Sequence, residues 1–216
     1  MRRSLLDLNG TFCFGALKLG AVDPVSFSDG VVTIRPLSVN DIDADLAAKD
    51  DEQIDWLWET GQRATWEAMT PREQRAHALR VLRHAQESFG PGPKWSFAVD
   101  TRDINYVAYV DCDLANDHVP LGQANISFSA HPSFRGRGYV SRAVRLVLRF
   151  LDEHTRATEA HIIVDAQNGV SLRVAHAVGA SAVEEWVNEH GRTMIRHIVP
   201  LSSENSSPLA AAYGDQ

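Results

Sequence analysis

HPSFRGRGYVSRAVRLVLRFL, His131 to Leu151, sets Arg135, Gly136, Arg137 and Gly138 directly in front of a run in which Val140, Val144, Val147 and Leu151 recur at helical spacing. Arg142, Arg145 and Arg149 share a different face of the same helix. A chain that turns on glycine and enters a helix leaves backbone N–H groups without partners, and the helix dipole adds partial positive charge there. Phosphate oxygens are the natural occupant of such a turn. Gly136 and Gly138 remove side chains that would block close approach, and Arg135 and Arg137 add charge-assisted donors. The plainer reading is a tight strand-to-helix turn whose arginines are solvated. Two nucleotide-loop classes drop out: no Gly-Lys-Ser/Thr follows, and the spacing is not G-x-G-x-x-G.

Upstream of this turn, KWSFAVD, NYVAYVDCDL and PLGQANISFSAH read as consecutive antiparallel strands separated by turn residues. Further upstream, VVTIRPL alternates like a strand. Ser38 or Asn40 can then cap a helix through DIDADLAAKDD, and TPREQRAHALRVLRHAQESF starts a second with Thr70 as cap, Pro71 at its first position and Glu73 three residues on. Downstream, HIIVD is a short buried strand, and a helix from about Asn168 to Val178 stops at Gly179. SAVEEWVNE and RTMIRHIVPL close as a hairpin around EHGR. The order is strand, two helices, three strands, helix, strand, helix, two strands. That is a mixed α/β fold in which the central crossover makes one strand pair parallel.

The chain of 216 residues, 44% of them hydrophobic, suits one domain with a substantial core. Residues 1–30 read as an N-terminal extension, 31–200 as the domain, and the Ser-rich 201–216 as a disordered tail. A formal charge of -7 argues against a general nucleic-acid binder. Cys13 and Cys112 are the only cysteines, so neither a disulfide framework nor a metal spacing is expected and a cytoplasmic setting is the simplest. The opening MRRSLLDLNG is interrupted by Asp7, Asn9 and Gly10 and does not read as a signal peptide, and no run is long and apolar enough to span a membrane.

Arg135-Gly136-Arg137-Gly138-Tyr139-Val140 resembles the Arg/Gln-x-x-Gly-x-Gly/Ala loop of the GCN5-related N-acetyltransferase (GNAT) family. Thirty residues past Gly138, NGVSLRVAHAVGA is similar to the family's Asn-x-x-Ser/Ala helix, and ANISFSAHPSFRGRGY resembles the RimJ/RimL-like branch. The resemblance spans roughly residues 31–200. It implies a central, mostly antiparallel twisted sheet flanked by helices, with one splayed parallel pair and acetyl-CoA in the cleft between those two strands. It also implies backbone contacts to the cofactor arm from Phe128, Ser129 and Ala130. Arg135, Gly136, Arg137, Gly138, Tyr139, Val140 and Ser141 would lie at the pyrophosphate, with Asn168 and Ser171 across the cleft. No metal is implied. The activity implied is direct attack of a neutral amine, from a protein N-terminus or a small molecule, on the thioester carbonyl, with a backbone N–H steadying the oxyanion.

The sequence departs from the family at both proton-transfer jobs. Asn125 stands where many members have Glu, and Ala175, seven residues past Asn168, stands where a Tyr often protonates the thiolate. Ser171 is the remaining hydroxyl for that role. His131, Asp111, His190 and Glu189 are candidate bases. Val140 replaces a small residue, and Gly179-Ala180 replaces Gly-Phe. At the acceptor end, Asp51, Glu52, Asp55 and Glu59 with Trp56 and Trp58 either hold a cationic amine or solvate an exposed face while Trp56 and Leu57 pack on the core. Trp66, Trp95 and Trp186 read as core or cleft lining. The competing readings are a catalytically weak CoA-binding or regulatory module of the same fold, and an RNA-associated protein using the Arg142 face. The acidic total and the lack of an aromatic platform disfavour the second. A homodimer is compatible with all of them.

Overall fold

The computed structural model describes residues 26–57, 61–90 and 92–202. Cys13, Trp58 and Glu59, with most of the extension and of the tail, lie outside the described residues. One eight-stranded sheet organises the rest. Its strands are β1 (Phe27–Ser28), β2 (Val32–Pro36), β3 (Lys94–Thr101), β4 (Ala108–Asp113), β5 (Ala124–Ala130), β6 (Glu159–Asp165), β7 (Ser181–Val187) and β8 (Thr193–Pro200). Their spatial order is β1-β2-β3-β4-β5-β6-β8-β7, and every pair is antiparallel except β5–β6.

That exception positions the site. The parallel ladder holds only at Ala124↔Ala160 and Asn125↔His161. β4 follows β5 all the way to Ala108↔Ala130, and β8 follows β6 to Asp165↔Met194, so each strand keeps its outer neighbour while the inner pair separates. Beyond Asn125 the edge of β5 that faces β6 is therefore without a strand partner.

The crossover between them is the helix read from the opening stretch, α5 (Tyr139–His154). Its apolar face, Ala143, Val144, Val147, Phe150 and Leu151, is fully buried against the sheet. Phe150 sits at the centre of an aromatic cluster, with ring centroids 5.4 Å from Trp95, 5.2 Å from Phe97 and 6.1 Å from Phe27. Trp95 is thus core, while Trp186 lies beneath the Arg196 guanidinium and Trp66 lines a second cavity among the N-terminal helices. The three arginines of the polar face are occupied within the chain. Arg142 pairs with Asp29 and Arg149 with Glu153, and Arg145 donates to the Ala177 carbonyl. No free basic stripe is left on that helix for RNA.

The opposite layer is more broken than the sequence pattern predicts. Where two helices are expected there are four: α1 (Ile42–Ala48), α2 (Asp51–Leu57), α3 (Gln62–Glu67) and α4 (Pro71–Ser88). Lys49 leaves the helical region at φ -82°, ψ 75°, ending α1, and Gly61 at φ 89° sets the left-handed turn before α3. The expected cap of α4 is present: Thr70 Oγ1 accepts from the Glu73 N–H, and the Glu73 carboxylate accepts from the Thr70 N–H. Residues Phe27–Ser28, inside the stretch assigned to an extension, add a two-residue edge strand. The last helix, α6 (Gly169–Ala177), starts from Asn168 as expected.

Two histidines are enclosed where β6 and β8 pair, His161 and His197, each 1% exposed. Burial pushes both imidazoles below their ordinary value. For His161 the nearby Glu159 opposes this and Arg196 reinforces it. The folded state holds both neutral, and the unfolded chain takes up their protons as pH falls through about 6.5, so stability declines on the acid side of that value until the folded imidazoles also protonate. A urea-unfolding series from pH 7.5 to 5.5 is expected to show a falling midpoint, and His161→Asn with His197→Asn a flatter one. An unchanged slope in the double variant would show that other groups carry the dependence.

Candidate active site

The gap between β5 and β6 opens into a cavity of about 560 Å³, a size that accommodates a cofactor-sized ligand. Its floor and sides come from Ile126 to Ala130 on one strand and Ile162 to Asp165 on the other. One end is closed by the turn from Phe134 to Ser141, and α6 contributes Val170, Ser171, Arg173 and Val174. At the other end stand Trp56 and Leu57 of α2 with Asn188, Arg192 and Met194 of the final hairpin.

At the glycine turn both Gly136 and Gly138 take φ 75°, a left-handed backbone that a side chain would strain, and a Cβ at either would meet no atom within 4 Å. Glycine serves conformation here, and the space beside it stays open. Gly138 caps α5 without any side-chain hydrogen bond, and the first bond into the helix is Arg142 N–H to Gly138 C=O. Tyr139, Val140 and Ser141 precede it in the first turn, where N–H groups have no intrahelical partner, and all three residues line the cavity. Val140 is half-buried and packs against the core cluster.

The cations divide into two kinds. Arg137 lies with its guanidinium 5.5 Å from the Phe134 ring centre. Neither it nor Arg173, both exposed and both lining the cavity, pairs with a carboxylate among the described residues. Arg135 is different. Its guanidinium forks onto Asp50 at 2.7 and 2.6 Å and reaches Glu52 at 2.7 Å. That guanidinium holds the Asp50 carboxyl below the usual carboxylate range, against a smaller opposing push from burial.

Asn168 caps α6, its Oδ1 accepting from the Ser171 N–H at 3.0 Å. Asn168 and Ser171 both line the cavity, and no described group bonds the Ser171 hydroxyl. Ala175, by contrast, is fully buried in the core one turn further on.

The proposed proton-transfer residues are not brought together. Asn125 sits where the ladder is still closed, one residue before the cavity begins, with Nδ2 3.4 Å from Ser127 Oγ. His131 caps a short turn through Nδ1, accepting from the Ser133 N–H, and packs on Phe134. Asp111 is 4% exposed, accepts from Tyr109 Oη at 2.5 Å and pairs with Lys94 at 3.0 Å. Glu189 and His190 pair with each other on the exposed hairpin turn. None of His131, Asp111, Glu189 or His190 lines the cavity.

Other residues do, and sequence reasoning passed over them. Asp165 ends β6 and accepts from Arg192 Nε at 2.6 Å, while the Arg192 guanidinium lies 5.1 Å from the Trp56 ring centre. The signal for Asp165 was its place at the carboxyl end of a strand beside the parallel pair. Gln53 reaches Ser129 Oγ at 2.9 Å across 76 positions of chain, and its Oε1 is buried without a partner. Nothing local in the sequence marks it. The acids before Trp56 neither wait for a ligand nor merely face water: Asp51 and Asp55 pair with Arg63, and Glu52 with Arg135.

Among the described residues no helix is long and apolar enough to cross a membrane, and no group of three or more His, Cys, Asp or Glu is placed to hold a metal ion.

The sequence profile of the acetyltransferase (GNAT) domain matches residues 32–181. No curated protein sequence matches the chain significantly. Among solved structures, RimJ of Mycobacterium smegmatis in complex with CoA-disulfide is 19% identical, with a TM-score of 0.64 over 83% of this chain and 86% of that one. A GNAT-family acetyltransferase from Bacillus anthracis has 12% identity and a TM-score of 0.64 over 82% and 98%. The ribosomal-protein-S5-alanine acetyltransferase of Vibrio fischeri has 15% identity and a TM-score of 0.62 over 85% and 100%. At these identities the likeness is one of fold.

Proposed function

Because this chain belongs to the GNAT acetyltransferase family, we propose that it transfers an acetyl group from acetyl-CoA to a primary amine, either a protein N-terminal α-amine or a small-molecule amine. The observation that carries this reading is the splayed β5–β6 pair opening onto a glycine turn, with two cations lining the cavity that have no carboxylate partner among the described residues. RimJ of M. smegmatis was solved with CoA-disulfide and the microcin C7 immunity acetyltransferase with acetyl-CoA and AMP, which supports the choice of cofactor. The ribosomal-protein acetyltransferases among the fold neighbours support a protein N-terminus as acceptor.

Acetyl-CoA supplies an activated thioester. The protein supplies placement. Phe128, Ser129 and Ala130 offer the unpaired edge of β5 to the amides of the cofactor arm, as an added strand would take them. The turn from Gly136 to Ser141 directs its free N–H groups, and Arg137 and Arg173 their charge, at the pyrophosphate. A β5 backbone N–H facing the gap steadies the oxyanion as the amine nitrogen bonds to the carbonyl carbon. As the C–S bond breaks, the Ser171 hydroxyl gives a proton to the departing sulfur. The four candidate bases stand off the cavity, so the proton lost by the amine passes to a water, and a proton returned from water restores the Ser171 hydroxyl. Asn125 acts on that step only through Ser127, its hydrogen-bond partner.

Thiol release from acetyl-CoA with a panel of small amines and N-terminal peptides tests the reading. Turnover is expected with at least one acceptor, and Ser171→Ala is expected to lower kcat about tenfold or more while leaving CoA affinity near the parent value. CoA binding without turnover on any acceptor would instead make the chain a CoA-binding module. The buried Ala175 and the recessed Asn125 are the features that favour that second reading.

A further inference from the structure

The family resemblance places Arg135 at a phosphate, yet its guanidinium already holds two carboxylates. Asp50 takes both terminal nitrogens at 2.6 and 2.7 Å, and Glu52 lies 2.7 Å from one of them. A bidentate pair of this geometry is among the stronger contacts a side chain makes, and an incoming anion would have to break it. The same contact reaches α2, whose Glu52, Gln53, Trp56 and Leu57 line the cavity. Asp50 Oδ1 accepts from the Gln53 N–H at 3.0 Å, so the carboxylate clamped by Arg135 also starts α2. Gln53, in turn, donates through Nε2 to Ser129 on the open edge of β5. Its Oε1 is enclosed among protein atoms, so the side chain acts on the cavity through Ser129.

We propose that Arg135 is a positioning residue: through Asp50 and Glu52 it holds α2 against the glycine turn, so that Gln53 donates to Ser129 and fixes the open edge of β5 that the cofactor arm takes. This rests on the acetyl-CoA reading. The phosphate charge is then met by Arg137 and Arg173, which have no carboxylate among the described residues to release first. Gln53 acts through Ser129, and Arg135 acts on the cofactor only through Gln53.

Two ligands separate the roles: CoA, and 3′-phospho-ADP, which keeps the phosphates and lacks the arm. By titration calorimetry, Arg135→Gln and Asp50→Asn are each expected to weaken CoA about five- to tenfold, the share of one hydrogen bond, and to leave 3′-phospho-ADP within about twofold. Gln53→Leu is expected to reproduce the CoA loss, and Arg135→Gln added to it to cost little more. Arg135→Lys, which keeps a cation at Asp50, is expected to retain most of the affinity. A phosphate-binding Arg135 gives the opposite pattern. Arg135→Gln would then weaken both ligands alike, and Asp50→Asn, by freeing the guanidinium, would tighten them. Either result overturns the proposal. If the unaltered protein binds neither ligand, the acetyl-CoA reading itself fails, a result distinct from failure of the clamp.

Discussion

Reversing Arg137 and Arg173 to Glu together is expected to weaken CoA binding by about a hundredfold or more, since a charge-assisted hydrogen bond to phosphate contributes roughly tenfold in affinity and the reversal adds repulsion. Both side chains are exposed at the cavity and lack carboxylate partners among the described residues, so their replacement breaks no ion pair described there. The thermal midpoint without ligand is therefore expected to stay close to that of the parent. Because these charges are open to solvent, the affinity difference should shrink as salt is raised. CoA affinity within threefold of the parent would remove the phosphates from this end of the cavity, and with them the orientation of the cofactor argued above.

Phe150→Ala is expected to have the largest effect on stability. Phe150 is fully buried at the centre of the core and touches Trp95, Phe97, Phe27 and His154 edge-on or tilted. Deleting its ring removes the apolar transfer energy and leaves a hole that four rings and two main-chain layers cannot close, a loss of about 3–5 kcal/mol. For a chain of this size that lowers the melting temperature by roughly 10 °C. A scanning-calorimetry shift of less than about 3 °C would mean that the cluster relaxes into the space. Phe150→Leu, which keeps most of the volume, is expected to fall between the two.

The aromatic cluster also shows how legibility is distributed along this chain. Val144, Val147 and Leu151 announce the buried face of α5 by their spacing alone, and Phe150 falls beside them. That Phe150 meets Trp95 and Phe27 is invisible locally, because those residues arrive from strands far away in sequence. The N-terminal helices show the opposite failure. Their apolar positions and the Thr70 cap are readable, yet the backbone at Lys49 and Gly61 divides the layer into four pieces, since helix ends depend on what each short segment can pack against.

At the site the division is sharper. The turn from Arg135 to Ser141 and the Asn168 cap with Ser171 are short-range patterns, governed by glycine conformation and helix-end hydrogen bonding within a few residues, and so they stand in the sequence itself. The succession of strands and helices along the chain, with its one crossover, follows from the same kind of signal. What each charged or polar side chain faces depends instead on which strands separate and which helix lies across them. Arg135 was legible as a donor near a phosphate, and only the fold places Asp50 and Glu52 upon it. Asn125 was legible as a substitute for a base, and only the point at which β5 and β6 part leaves it outside the cavity lining. Gln53 was not legible at all: its meeting with Ser129 is created by folding across 76 residues, and hydrogen bonds of that range leave no periodicity behind.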